Sequence, residues 1–352
     1  MSVASRLALP LVAVLVLGGG TGRAQEGASN ALHARQGPPS RTIHLDVVVT
    51  RKDGEAVAGL KASDFTLLDD KKPTAIASFE EADTAKQPVE AILLIDSVNT
   101  PYTAISQVRI QVDKFLHANG GKLPLPLSIA VLGDAGVKMQ HGYSRDGNAL
   151  SASLAGYTIG LRAIGRSAGF EGAAERLDDS LKALRLLTQY ESQRPGRKII
   201  LWVSPGWPLL SGPGVDLSGS QEDQFFNEIT WLSTELREGQ TTLYAIDPWG
   251  VAEPVSQAFY YEQFISPVKR PSQVNIGNLG LQVLATQTGG EVVNTGDISG
   301  PLEQYLKENL AYYRISFEPP PTEHRDVYHD LKVEMTDRAL VAHTSTGYYA
   351  QP

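Results

Sequence analysis

A doubly wound, mostly parallel α/β sheet set inside a small β-sandwich-like module is the fold this sequence predicts, and three observations predict it. Residues 91–100 read AILLIDSVNT, an unbroken apolar run that stops at Asp96. A strand apolar at every position is buried on both faces, as in a parallel sheet covered by helices. Between 89 and 311, such runs alternate with amphipathic helical stripes, the order that winds a sheet on both sides. On either flank, 42–79 and 312–349 show only period-two alternation.

The chain opens with Arg6, an apolar stretch from Leu7 to Leu17, and small residues up to Ala24. This is the pattern of an export signal cleaved after Ala24. Its apolar part is too short to span a bilayer comfortably. Residues 25–41, with Gly37-Pro38-Pro39-Ser40, read as a flexible tether. No later stretch is long and charge-free enough for a membrane span, so the mature chain is expected to be periplasmic or secreted. The sequence contains no Cys, which leaves stability to a hydrophobic core. Formal charge is −8, and removal of Arg6 and Arg23 with the signal leaves −10. That balance argues against nucleic acid, whose binding domains present a basic face.

The N-terminal frame, 42–88, begins with TIHLDVVVT, where Ile43, Leu45, Val47 and Val49 share one strand face. Lys52-Asp53-Gly54 supplies a hairpin turn. Two further strand candidates, 64–68 and 74–79, surround the Asp69-Asp70 turn. In the middle segment, 89–311, a helix is expected over 101–118 with Ile105, Val108, Val112, Phe115 and Leu116 on one stripe. LSIAVL (127–132) is a second strand, and 137–141 a short third. A helix near 171–190 buries Leu177, Leu181, Leu184 and Leu187, with Asp178 and Lys182 paired outside. KIILWV (198–203) and TTLYAI (241–246) are the fourth and fifth strands. The helix between them carries Phe225, Ile229, Leu232 and Leu236. Another helix, 279–288, is stopped by Gly289-Gly290 before a short strand at 291–293. The C-terminal frame, 312–352, alternates again in YYRISFEPP, HDLKVEM and LVAHTSTGYY.

The strand-helix order, RKIILWVSPGWP (197–208), LATQTGGEVV (284–293) and the terminal pattern from YYRISF to GYYA together resemble exported bacterial proteins related to the von Willebrand factor A domain. The resemblance covers most of the mature chain. It implies a Rossmann-like A domain within a β-rich frame, and a metal-ion-dependent adhesion site. That site reads Asp-x-Ser-x-Ser after the first strand, with a Thr and a second Asp later. Here the first motif reads Asp96, Val98 and Thr100. The later Thr is matched only by Ser167, and Ser204 stands where the second Asp is expected. Asp247 and Asp134 end neighbouring strands. The implied site is therefore degenerate, with no firm cofactor and at most weakly held Mg²⁺ or Mn²⁺, because a hydroxyl in place of a carboxylate removes most of the attraction that strips the ion of water. Two plainer roles remain open: Thr100-Pro101 as N-cap and N1 of the first helix, and Asp96 as a partner for loop amides.

Other chemistries find less support. His324 and His329 lie five apart, a spacing that fits neither a helix face nor a strand face, and they read as ordinary turn and strand residues. Ser204 lacks the Gly-x-Ser-x-Gly frame of a hydrolase elbow, and Pro205 removes the amide an oxyanion hole would use. No enzyme is expected. The long loops after the fourth and fifth strands, 205–220 and 248–277, carry Trp207, Trp249, Phe259, Tyr260, Tyr261 and Phe264. Such residues concentrate interface energy, so the expectation is an adhesion-type protein that binds a protein partner through them. The alternative is a structural accessory subunit of an envelope assembly, contacting partners through the β module.

Overall fold

The computed structural model describes residues 42–157, 169–208, 210, 216–249, 259–322 and 324–351. Residues 1–41, where the export signal and tether are expected, Ser167 and parts of both long loops lie outside the described residues. Strands β1 (Ile43–Arg51), β2 (Phe65–Asp69), β3 (Lys72–Thr74) and β4 (Ser78–Glu81) come first. There follow β5 (Val89–Asp96), α1 (Tyr102–His117), β6 (Lys122–Gly133), β7 (Gly136–Met139), β8 (Ser144–Asp146), α2 (Gly147–Ala155), α3 (Gly169–Ser192) and β9 (Arg197–Val203). Then come α4 (Gly219–Glu238), β10 (Thr241–Asp247), α5 (Leu281–Gln287), β11 (Val292–Asn294) and α6 (Ser299–Glu308). The chain closes with β12 (Tyr313–Phe317), β13 (Val327–Met335), β14 (Leu340–His343) and β15 (Gly347–Ala350).

The largest sheet has the order β11-β10-β9-β5-β6-β7, with β8 also paired to β6. Its pairs are parallel except for β7 and β8, which run antiparallel to β6. β5 is buried at every position, and the reason lies on both faces. Leu93 and Ile95 pack with Ile105, Val108 and Val112 of α1 and Leu302 of α6. Ile92 and Leu94 pack with Leu181 and Leu184 of α3 and Ile229 and Leu232 of α4. Each such side chain contributes roughly 1.5–3 kcal/mol by leaving water, which is why the strand shows no polar alternation. The architecture is mixed α/β and compatible with a Rossmann-like core.

The frame consists of two antiparallel four-stranded sheets, β14-β1-β12-β4 and β15-β13-β2-β3. Each combines strands from both chain ends: β1 pairs with β12 and β14, and β2 with β13. One hydrophobic cluster joins them, built from Leu45 and Val47 of β1, Phe65 and Leu67 of β2, Ile315 and Phe317 of β12, and Leu331 of β13.

Several elements differ from the sequence expectation. The second strand starts earlier, at Lys122, because Leu123 and Leu125 point inward while Pro124 and Pro126 are half-buried. The 74–79 candidate breaks into the end of β3 and the start of β4, and 340–349 divides into β14 and β15, which join different sheets. Helix α2 lies outside the sequence expectation; its marks are Asp146, whose side chain accepts from the amide of Ala149 as N-cap, and the short stripe Leu150 and Leu154 that it buries. Gly289 follows α5 with φ +82°, and a Cβ on Gly290 would lie 1.8 Å from the carbonyl oxygen of Leu243. These two glycines end the helix and let β11 approach β10.

Candidate binding site at the carboxyl edge of the parallel sheet

Register places the edge residues side by side. Ile95 of β5 and Ile246 of β10 both lie opposite Val203 of β9, so Asp96, Ser204 and Asp247 leave the same end of three adjacent strands. Open α/β sheets bind ligands at this end.

Asp96 is fully buried. Its Oδ1 accepts from the amides of Val98 and Asn99, each at 2.9 Å. Its Oδ2 accepts from Asn99 Nδ2 at 2.8 Å and from the indole Nε1 of Trp202 at 3.1 Å. With two donors on each oxygen, the carboxylate's lone pairs are committed to the protein itself. Asn99 Nδ2 also donates to Ser180 Oγ at 2.9 Å, tying this loop to α3. Trp202 is held by Trp207, whose ring meets it edge-on at 5.0 Å.

The remaining residues of the implied metal site are arranged as follows. Val98 is buried in the apolar layer beneath α3 and α4. The N-cap of α1 is Pro101, not Thr100, and no side chain caps it. The Asp96 turn instead directs Thr100 inward, where it is 2% exposed, and its Oγ1 has no hydrogen-bond partner among the described residues. Asn99 Oδ1 is in the same condition. Ser204 is buried, its Oγ accepting from the amide of Gly206 at 3.2 Å. Asp247 is 9% exposed and its Oδ1 accepts from the amide of Trp249 at 3.0 Å. Asp134 lies exposed in the turn between β6 and β7. Among the described residues this set fits a divalent ion poorly: each oxygen of Asp96 already accepts two N–H donors, Val98 offers no ligand atom, and Ser204 brings a hydroxyl where a carboxylate is expected.

The aromatic residues of the long loops divide by burial. Trp207, Tyr261 and Phe264 are core side chains at 1%, 9% and 8% exposure, so a partner does not reach them. The sequence expectation is corrected for these three. Phe264 and Tyr261 pack on Val283 of α5, because the 3₁₀ turn Tyr260–Phe264 lays the loop flat on that helix. Trp249 and Tyr260 are half-buried, and Phe259 is 57% exposed.

Beside Trp249 opens a cleft of about 230 Å³, lined by Thr103, Gln107 and Gln111 of α1, Pro248 and Trp249 after β10, and Gly296 before α6. Gln111 Nε2 donates to the carbonyl of Gly296, while Gln111 Oε1 is buried with no partner among the described residues. Among the described residues, no charged side chain lines this cleft. Sequence reading missed Trp202, whose indole donor is invisible in a run of buried residues. It also missed the cleft, although Thr103, Gln107 and Gln111 recur every fourth residue on the polar face of α1, a detectable signal.

The opposite, amino edge of the sheet carries a charge network. Arg194 grips Glu90 through two hydrogen bonds of 2.9 and 2.6 Å. Tyr143 donates to the buried Glu191 at 2.6 Å. Burial pushes the Lys198 ammonium below its usual range and the Glu191 carboxyl above it.

No protein-family model matches the chain, and no curated protein matches it. Similar solved structures include human COPII-coat protein Sec24c, at 9% identity and TM-score 0.34, with 74% of this chain and 43% of that one covered. They include the pilus adhesin SpaC from Lactobacillus rhamnosus GG, at 8% identity and TM-score 0.37, covering 82% and 48%. The SpRpn10 VWA domain matches at 11% identity and TM-score 0.27, covering 54% and 92%. The chain thus spans less than half the length of the first two. Likenesses of this size say nothing of what this chain binds. Among the described residues, no helix is long and apolar enough to cross a membrane.

Proposed function

We propose that this is an exported, non-enzymatic binding protein of von Willebrand A type, which engages a protein partner at the carboxyl edge without a bridging cation. The observation that carries this reading is the combination at that edge of a saturated inner carboxylate and a cleft beside Trp249 whose described lining carries no charge. The half-buried indole and the side chains of Gln107 and Gln111, the latter held by the carbonyl of Gly296, offer a partly apolar surface with hydrogen-bonding groups, and Phe259 adds an exposed ring in the same long loop. That is the composition in which interface energy concentrates. Asp96 serves in this reading as an internal brace for the loop that starts α1.

A second reading places the contact on the β frame, favoured by Val341, which is 42% exposed on the edge strand β14. Cross-linked capture from the envelope fraction separates the two. The partner should be lost with Trp249→Ala or Phe259→Ala and kept with Val341→Lys. The reverse pattern transfers the function to the β frame.

A further inference from the structure

The turn joining β2 to β3 is built from Asp69, Asp70, Lys71 and Lys72, and Asp70 and Lys71 both have positive φ, 47° and 66°. That left-handed pair closes a tight hairpin and carries both carboxylates against β13. Asp69 lies opposite Leu331 in register, and the amide of Asp70 donates to the carbonyl of Asp330 at 2.8 Å. There the imidazole of His329 meets both acids. Its Nδ1 is 2.9 Å from Asp69 Oδ1 and 3.4 Å from Asp70 Oδ2. One ligand atom from each of the three residues lies within 4.8 Å of the others. Neighbouring ligands on a four-coordinate ion with bonds of about 2.0 Å stand about 3.3 Å apart.

Contacts from outside the trio fix each member. Tyr348 OH donates to Asp69 Oδ2 at 2.9 Å, and the amide of Asp330 donates to Asp70 Oδ1 at 3.1 Å. The Tyr348 ring stacks on the imidazole at 4.8 Å and 18°. Outer partners of this kind orient metal ligands. Asp69 and His329 are buried, while 45% of the Asp70 side chain is exposed, which leaves a solvent side for entry and for a water ligand.

We propose that Asp69, Asp70 and His329 bind a divalent cation of the Zn²⁺ class, which clasps the β2–β3 turn to β13 and, through Tyr348, to β15. One imidazole with two carboxylates favours Zn²⁺ over the all-oxygen preference of Mg²⁺ and Ca²⁺. The site joins residues 260 apart in sequence, in a chain with no cysteine to tie its ends. The exposed His324, near in sequence, takes no part. The sequence spacing of the two histidines therefore hid the site, since its other ligands come from a distant turn.

Titration calorimetry of the full chain with ZnCl₂, alongside thermal melts with and without Zn²⁺, tests this. One equivalent should bind and raise the melting temperature. Asp70→Asn, at an exposed position that leaves the fold intact, should weaken binding at least tenfold, as should His329→Gln if it folds. Absence of Zn²⁺ binding, or binding that Asp70→Asn leaves unchanged, overturns the proposal and reduces the trio to a plain ion pair.

Discussion

Glu308 gives the sharpest test of how burial and charge are balanced in this fold. It is the last residue of α6, 5% exposed, and its Oε1 accepts from Gln304 Nε2 at 2.7 Å. A Cβ on Gly54 would lie 2.8 Å from that oxygen, so the carboxyl sits against the β1 hairpin turn. Burial, together with the nearby Glu291 carboxylate, pushes it up to about 7 from an ordinary 4.5, against the lowering effect of the Gln304 bond. The folded chain therefore keeps a proton that the unfolded chain releases. Stability from this group is fully present below pH 4.5 and falls between 4.5 and 7. At about 1.36 kcal/mol per pH unit, the loss reaches about 3 kcal/mol above neutrality. Glu308→Gln keeps the shape and removes the titration. Urea unfolding at a series of pH values should show the two chains equal near pH 4, and the variant more stable by about 3 kcal/mol at pH 8. Comparing the two chains cancels the other shifted groups, Asp46, Glu191 and Glu235 raised and His343 lowered by burial. Parallel curves for the two proteins refute the reasoning.

Two further predictions follow from contacts already described. Trp202→Phe removes the indole donor from Asp96 and leaves a buried carboxylate short of one hydrogen bond, so unfolding free energy in urea should fall by about 2–3 kcal/mol; a loss near zero would mean the indole does not hold that carboxylate. Gly290→Ala drives a methyl into the Leu243 carbonyl and should cost more than about 2 kcal/mol in the same assay, whereas Gly296→Ala, with nothing within 4 Å, should stay within about 0.5 kcal/mol.

How far the sequence carries depends on which physical signal each element leaves. β5 was legible because both its faces are covered, and α1 because one stripe of it is buried, so each periodicity survives in the residue pattern. The common edge of Asp96, Ser204 and Asp247 was legible for the same reason, since parallel strands put their carboxyl ends together. Helix α2 left only a cap residue and two buried leucines, Leu150 and Leu154, over a single nine-residue span, too short a stripe to stand out. β14 and β15 read as one strand because both alternate, and nothing in residues 344–346 announces that the chain changes sheets there. The aromatics misled for a similar reason: composition marks Tyr261 and Phe264 as adhesive, but only packing decides whether the surface they adhere to belongs to this chain. Trp202 and the His329 trio depend on partners distant in sequence, and no local pattern records those.

The central claim is that Asp96 is spent on the protein's own donors, so that the carboxyl edge works without a cation. Its most direct test is the melting temperature of the chain across a Mg²⁺ titration, made in an Asp70→Asn background so that the β2–β3 turn does not contribute. The account predicts a flat line up to millimolar Mg²⁺. A micromolar site would add about 4 kcal/mol at millimolar ion, and a rise of several degrees would show that a cation has displaced the donors around Asp96, contradicting the account.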